Sequence, residues 1–132
     1  MFNEALSDFD KSISLKADLW DAYFIRGEIY FNIKADLKNA ETNFTNYIEA
    51  EIYTRKSDAY LYRGKIFEKE ENIDKALLDY NSAIQNNQFN KEAFLLRGIL
   101  KLNNNDDGCP DLQKYFNLKG KDAQLYLEKY CK

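Results

Sequence analysis

The stretch Tyr60-Leu61-Tyr62-Arg63-Gly64-Lys65-Ile66-Phe67, followed twelve residues after its glycine by Ala76 and four residues further by Tyr80, decides how this chain is read. The glycine has one aromatic four positions before it and another three positions after it, about one helical turn away on either side. The pattern recurs upstream as Tyr23, Arg26-Gly27 and Tyr30, with Ala40 and Phe44 behind it. It recurs downstream as Phe94 and Arg97-Gly98, where Lys101 replaces the second aromatic. The glycines are 37 and 34 residues apart, and Ala40 and Ala76 follow theirs by 13 and 12 residues. Ala5 and Phe9 repeat the second half of the unit alone. Small residues at fixed places let two helices approach closely while aromatics fill the space beside them, so each unit is predicted to be a hairpin with a half-buried seam. One hairpin cannot bury that seam, but a stack of them can.

These spacings resemble the tetratricopeptide repeat, a 34-residue helix-turn-helix unit with an aromatic, then Gly, then an aromatic on its first helix and Ala-x3-aromatic on its second. The resemblance covers nearly the whole chain and implies an all-α, right-handed superhelical solenoid of antiparallel helix pairs. Departures are Arg in place of Leu before each Gly, Gln88 at a place where the repeat ends in Pro, and a first full unit three residues longer than 34. Helices are predicted near 2–16, 18–33, 36–52, 56–70, 72–86, 90–103, 108–118 and 120–131. The chain is read as one domain, 1–132, made of a half repeat (1–17), repeats at 18–55 and 56–89, a shortened repeat (90–119) and a capping helix (120–132). The closing segment, from Gly108-Cys109-Pro110-Asp111-Leu112 through Leu118-Lys119-Gly120 to Lys129-Tyr130-Cys131, is similar to the C-terminal segment of Bacteroidetes tetratricopeptide proteins.

Composition limits function. The chain has 132 residues, no His and two Cys, so it lacks the commonest general base and cannot complete a four-ligand zinc site from thiols alone. Nineteen basic residues against 22 acidic ones, scattered along the chain, form no basic face of the kind nucleic-acid binding needs. A mean hydropathy of −0.65, the absence of a long apolar run and a start at Met1-Phe2-Asn3-Glu4 without signal-peptide features predict a soluble protein with no membrane partner. The compartment is left open between cytoplasm and periplasm. No Gly-rich phosphate loop is present, and Glu68-Lys69-Glu70-Glu71 reads as a solvated helix end. The expectation is therefore of no enzyme and no cofactor.

Three further constellations have specific readings. An Arg before each Gly answers a repeated need, because Asp8, Asp79 and Asp111 each precede the aromatic position or its Leu112 replacement, and a guanidinium fork fits a carboxylate across the hairpin. Asn43 takes the Asp place in one unit and would serve Arg26 or Arg63 through a neutral hydrogen bond. Asn103-x-Asn105-x-Asp107-Gly108 opens like a calcium loop, but its twelfth position is Lys114 rather than Glu, so it reads as a polar turn. Cys109 and Cys131 lie eleven residues on either side of Gly120, facing one another in a hairpin that turns there. They are predicted within bonding reach, either as a disulfide or as two thiols packed as small hydrophobes.

The resemblance also implies that the first helices of the repeats line a concave groove for a peptide or protein segment. At the places where some members grip an acidic carboxy-terminus with Lys, Arg and Asn, this chain has Phe24, Glu28, Tyr62, Glu92 and Leu96, so that clamp is absent. The groove is expected to comprise Phe24, Glu28, Asp58, Leu61, Tyr62, Glu92, Leu95, Leu96 and Ile99, with Asp21 nearby, and to suit a segment carrying apolar anchors and Lys or Arg. The alternative is that several of these side chains are core between repeats. Two functions are carried forward: a protein-interaction scaffold, or a regulatory or oligomerising segment of a larger protein, enzymatic or not. The first helix, with Ala5, Phe9 and Ser12 on one face and Leu6 and Ile13 on another, is expected to serve self-association or packing on an upstream repeat.

Overall fold

The computed structural model describes Ser7, residues 20–50 and residues 55–131. Apart from Ser7, the half repeat at 1–17 and the assembly role expected of its helix lie outside the described residues. Seven α-helices follow in order: α1 (Trp20–Ile29), continued by a π-helical turn (Tyr30–Lys34), α2 (Leu37–Glu49), α3 (Lys56–Lys69), α4 (Ile73–Asn86), α5 (Lys91–Asn103), α6 (Cys109–Asn117) and α7 (Ala123–Tyr130). Each packs on the next, and no strand occurs among the described residues.

The turns explain where the helices stop. After α3 the chain places Glu71 in the left-handed region at φ 61°, and Asn72 N–H returns to Phe67 O at 2.8 Å. The same closure, amide to the carbonyl five residues back, recurs as Asp106 to Lys101 at 2.8 Å with Asn105 left-handed, and as Gly120 to Tyr115 at 2.9 Å with Lys119 left-handed. In the first hairpin it is one residue longer: Asp36 N–H reaches Tyr30 O at 2.9 Å, with Ala35 at φ 51°. That residue accounts for the 13-residue spacing from Gly27 to Ala40 against 12 from Gly64 to Ala76, and the π-helical turn absorbs it. Asp36 and Asn72 then cap the second helices, accepting from Asn39 N–H at 3.1 Å and Lys75 N–H at 3.3 Å, while Asn90 caps α5.

Close approach sets the hairpin contacts. A Cβ on Gly64 would stand 2.6 Å from Tyr80 Cε1, and one on Gly27 would stand 2.9 Å from Phe44 Cζ, with both rings fully buried. In the α5/α6 hairpin Leu112 takes the ring's place and Gly108 that of the alanine, only ten residues after Gly98. The backbones meet there, so a Cβ on Gly108 would land on the Gly98 carbonyl. Pro110, in the first turn of α6, needs no intrahelical donor there.

Each Arg crosses its hairpin. Arg63 donates from Nε and Nη2 to both oxygens of Asp79 at 2.8 Å, and Arg97 does the same to Asp111 at 2.8 and 2.7 Å. The remaining Nη1 reaches back to the preceding second helix, Arg63 to Thr45 at 3.2 Å and Arg97 to Asn81 at 2.9 Å, so one guanidinium joins three helices. The neutral version falls to Arg26, whose Nε donates to Asn43 Oδ1 at 2.6 Å while Asn43 Nδ2 donates to Asn39 O at 2.7 Å. Asp79 and Asp111 are buried, so a missing guanidinium would leave a desolvated carboxylate. The fork from Asp79, ahead of the opposing effect of burial, raises the Arg63 pKa further.

The core runs between hairpins as well as within them. Ala59 and Ile66 of α3 pack with Phe24, Phe44 and Tyr47, and Ala93 and Leu100 of α5 pack with Phe67, Ala76 and Tyr80. Buried Ser57 donates to Ala83 O at 2.7 Å and accepts from Asn90 Nδ2 at 2.8 Å, linking α3, α4 and α5 at one end. At the C-terminus Phe94, Tyr115 and Ala123 form a smaller cluster. Cys109 and Cys131 are joined as a disulfide with Cα atoms 5.8 Å apart.

Candidate functional site

The first helices α1, α3 and α5 share one face, and a cavity of about 330 Å³ opens on it. Its walls are Phe24 and Glu28 from α1, Asp58, Leu61, Tyr62 and Lys65 from α3, Glu92 from α5, and Arg55 just before α3. Helical spacing explains this set. Phe24 and Glu28 are four apart, and Asp58, Tyr62 and Lys65 follow at intervals of four and three, so each group forms a stripe along one helix face.

Tyr62 is the centre of the site. Its ring stacks on Phe44 at 4.8 Å and meets Phe24 and Phe31 edge-on at 5.9 and 5.5 Å. Aromatic contacts of this kind each contribute about 0.5–1.5 kcal/mol beyond burial, so three of them hold the ring in one orientation. Its hydroxyl donates to Glu28 Oε2 at 3.0 Å. Burial first, with the negative field of Glu28 and Glu92 adding to it, moves the Tyr62 pKa above the ordinary phenol value, and the hydroxyl stays a donor at neutral pH. Since Phe44 also covers Gly27, the same ring that fixes the first hairpin fixes the wall of the cavity.

Charge around the cavity is mixed. Lys65 pairs with Glu92 at 2.7 Å and lies over the Tyr62 ring at 5.2 Å, and the Arg55 guanidinium stacks 3.8 Å from the Phe24 ring centre. Asp58 is exposed and accepts a long 3.4 Å hydrogen bond from Asn90. Three carboxylates against two cations leave the rim negative, though less so than the acidic residues alone suggest.

A second cavity of about 270 Å³ adjoins the first through Lys65 and is lined by Phe31, Glu68, Lys69, Tyr80 and Leu96 as well. Tyr80 donates to Glu68 at 2.7 Å, and burial first, then that bond, pushes its pKa far up.

Of the nine residues expected on the groove, six share the first cavity, and Leu96 lines the second. Phe24 and Leu61 contribute edges only, for both are buried between repeats. Leu95 lines neither cavity and packs against the cluster of Phe94, Tyr115 and Ala123. Ile99 is half-buried and lines neither cavity, and Asp21 is exposed outside both. Arg55 and Lys65 were absent from the expected set. The spacing of Lys65 from Asp58 and Tyr62 would have found it, whereas Arg55 precedes its helix in a left-handed conformation, φ 60°, which no sequence periodicity marks. Among the described residues no three His, Cys, Asp or Glu side chains converge as a metal site, and no helix is long and apolar enough to cross a membrane.

No family model and no curated protein sequence matches the chain. Solved structures do. A crystal structure of MamA superposes with a TM-score of 0.79 at 16% identity, covering 89% of this chain and 68% of that one. Another MamA crystal structure gives 0.78 at 20% identity over 94% of this chain and 67% of that one. MamA from Desulfovibrio magneticus RS-1, residue 41 to the end, gives 0.76 at 18% identity, over 89% and 66%. The chain thus spans about two thirds of the length of these structures. Identity at this level carries the architecture alone, and that architecture, like MamA's, is a helical repeat solenoid of tetratricopeptide type.

Proposed function

We propose that this chain is a non-catalytic protein-interaction scaffold that receives a segment of another protein against the shared face of α1, α3 and α5. The observation that supports this most is Tyr62, clamped by three rings and hydrogen-bonded to Glu28, beside exposed Asp58. A prearranged aromatic surface needs little ordering when a ligand arrives. The carboxylates give Lys or Arg of the ligand a partner, while the Tyr62 and Phe31 edges and Leu96 receive an apolar side chain. The fitting segment combines a basic residue with an aromatic or large aliphatic one.

Panning a phage-displayed random peptide library against the immobilised protein tests this. Enriched peptides should pair Lys or Arg with an apolar anchor, and Glu28→Lys should weaken their capture about tenfold, as loss of a charge partner at an interface does. Enrichment of acidic peptides, no enrichment at all, or capture indifferent to Glu28→Lys would contradict the proposal.

A further inference from the structure

We infer that α7 is a redox-releasable cap: the Cys109–Cys131 disulfide holds the far end of this helix on α6, and reduction frees α7 while the preceding hairpins stay folded. Helix α7 has eight residues, too few to persist as an isolated helix, and among them only Ala123 at its first position is buried. Leu125 is 62% exposed. The two ends of α7 are held differently. Its beginning is tied without the cysteines, since Tyr115 donates to Lys121 O at 2.8 Å, its ring meets Tyr126 edge-on at 6.1 Å, and Gly120 lies against the same ring. Its end is tied through Cys131 to Cys109 at the start of α6, a bridge between residues 22 apart in sequence. A cross-link of that span removes open conformations from the ensemble of the segment it closes. Helices α3 to α5 have no such dependence, because each contributes two or more buried apolar side chains to clusters shared with a neighbour, where α7 contributes Ala123 alone.

Both cysteines are half-buried, leaving the bridge open to a small dithiol. The reductant's thiolate attacks one sulfur, the Cys109–Cys131 bond breaks, and a mixed disulfide forms. The second thiol of the reductant then displaces the remaining cysteine. Two electrons and two protons pass to the protein, leaving two cysteine thiols, and the reductant becomes a disulfide. With α7 detached, the cluster of Phe94 and Tyr115, against which Leu95 and Leu118 pack, loses Ala123 and Tyr126.

Hydrogen exchange read by mass spectrometry tests this on the full chain, oxidised with glutathione disulfide or reduced with dithiothreitol. Amides of 123–130 should exchange at least about tenfold faster after reduction, while those of α3, α4 and α5 keep their protection, as expected of a local opening. Cys131→Ser should give the reduced pattern without any reductant. Unchanged exchange in 123–130 would overturn the inference, as packing would then suffice. Loss of protection throughout, in the reduced protein or in Cys131→Ser, would overturn it by making the bridge a staple for the whole fold. So would faster exchange in the dithiothreitol-treated parent that untreated Cys131→Ser does not reproduce, or failure of the cysteines to pair under oxidation.

Discussion

In the α1/α2 hairpin Gly27 faces Phe44 and Arg26 donates to the amide of Asn43, while in the α3/α4 hairpin Gly64 faces Tyr80 and Arg63 forks onto the carboxylate of Asp79. The first hairpin has one residue more between its helices and stores it as a π-helical turn. The contact of a glycine with a ring is therefore kept, while charge, hydroxyl and turn length vary around it. The reason is steric: a ring seated on the glycine leaves no room for a Cβ, but the polar partner and the turn have several acceptable solutions.

The largest effect should come from attacking what the two hairpins share. Gly64→Leu must displace Tyr80, which lies 2.6 Å from the new Cβ and is anchored to Glu68, so unfolding by urea should show a loss of about 3 kcal/mol. An unchanged midpoint would mean that the helices do not meet there. Asp79→Asn converts the second hairpin to the chemistry of the first, with one acceptor in place of two and no charge, and should cost about 1.5 kcal/mol. Equal stability would show that the fork is no better than the single bond of Arg26.

Tyr80→Phe carries the imitation further and separates the hairpins by pH. The Tyr80 phenol is raised in the folded protein by burial and by Glu68, so its contribution is complete below the unfolded-state value of about 10 and is lost as pH rises above it. The parent protein should lose stability steeply above pH of about 10. Tyr80→Phe, having given up about 1 kcal/mol of hydrogen bond at neutral pH, should lose stability less steeply there. Parallel alkaline profiles would remove Tyr80 from the account. The smallest effect is expected from deleting exposed Ile33, which restores the 12-residue spacing of the second hairpin and should change stability by less than about 1 kcal/mol. A cooperative collapse of α1 in its circular dichroism spectrum would show that the π-helical turn is needed.

Much of the fold was legible because its determinants are small residues and rings at fixed intervals. Gly64, Ala76 and Tyr80 name a contact before any coordinates do, and Arg63 with Asp79 names the pair that crosses it. The turns were less legible. A 37-residue spacing says that extra residues exist, not that one of them sits between Tyr30 and Lys34, and left-handed Ala35, Glu71, Asn105 and Lys119 occupy places where glycine would have been a signal. The shortened α5/α6 hairpin hides its small residue in the same way, since Gly108 reads as part of a polar turn until the Gly98 carbonyl is seen beside it. In the candidate site, the resemblance to the repeat gathered Phe24, Glu28, Asp58 and Tyr62, which line one cavity together with Glu92 of α5. Leu95, expected on the same face, packs against Phe94, Tyr115 and Ala123, and Arg55, held by a stacking contact from outside any helix, carries no periodic signal.

The central claim is that the face built around Tyr62 receives a basic and apolar protein segment. The most direct measurement is a titration of the isotopically labelled protein with a peptide recovered from the library, followed by backbone amide chemical shifts. The account predicts saturable shifts centred on Glu28, Asp58, Tyr62, Lys65 and Glu92, with α6 and α7 unmoved. Shifts centred elsewhere, or none at saturating peptide, would contradict it.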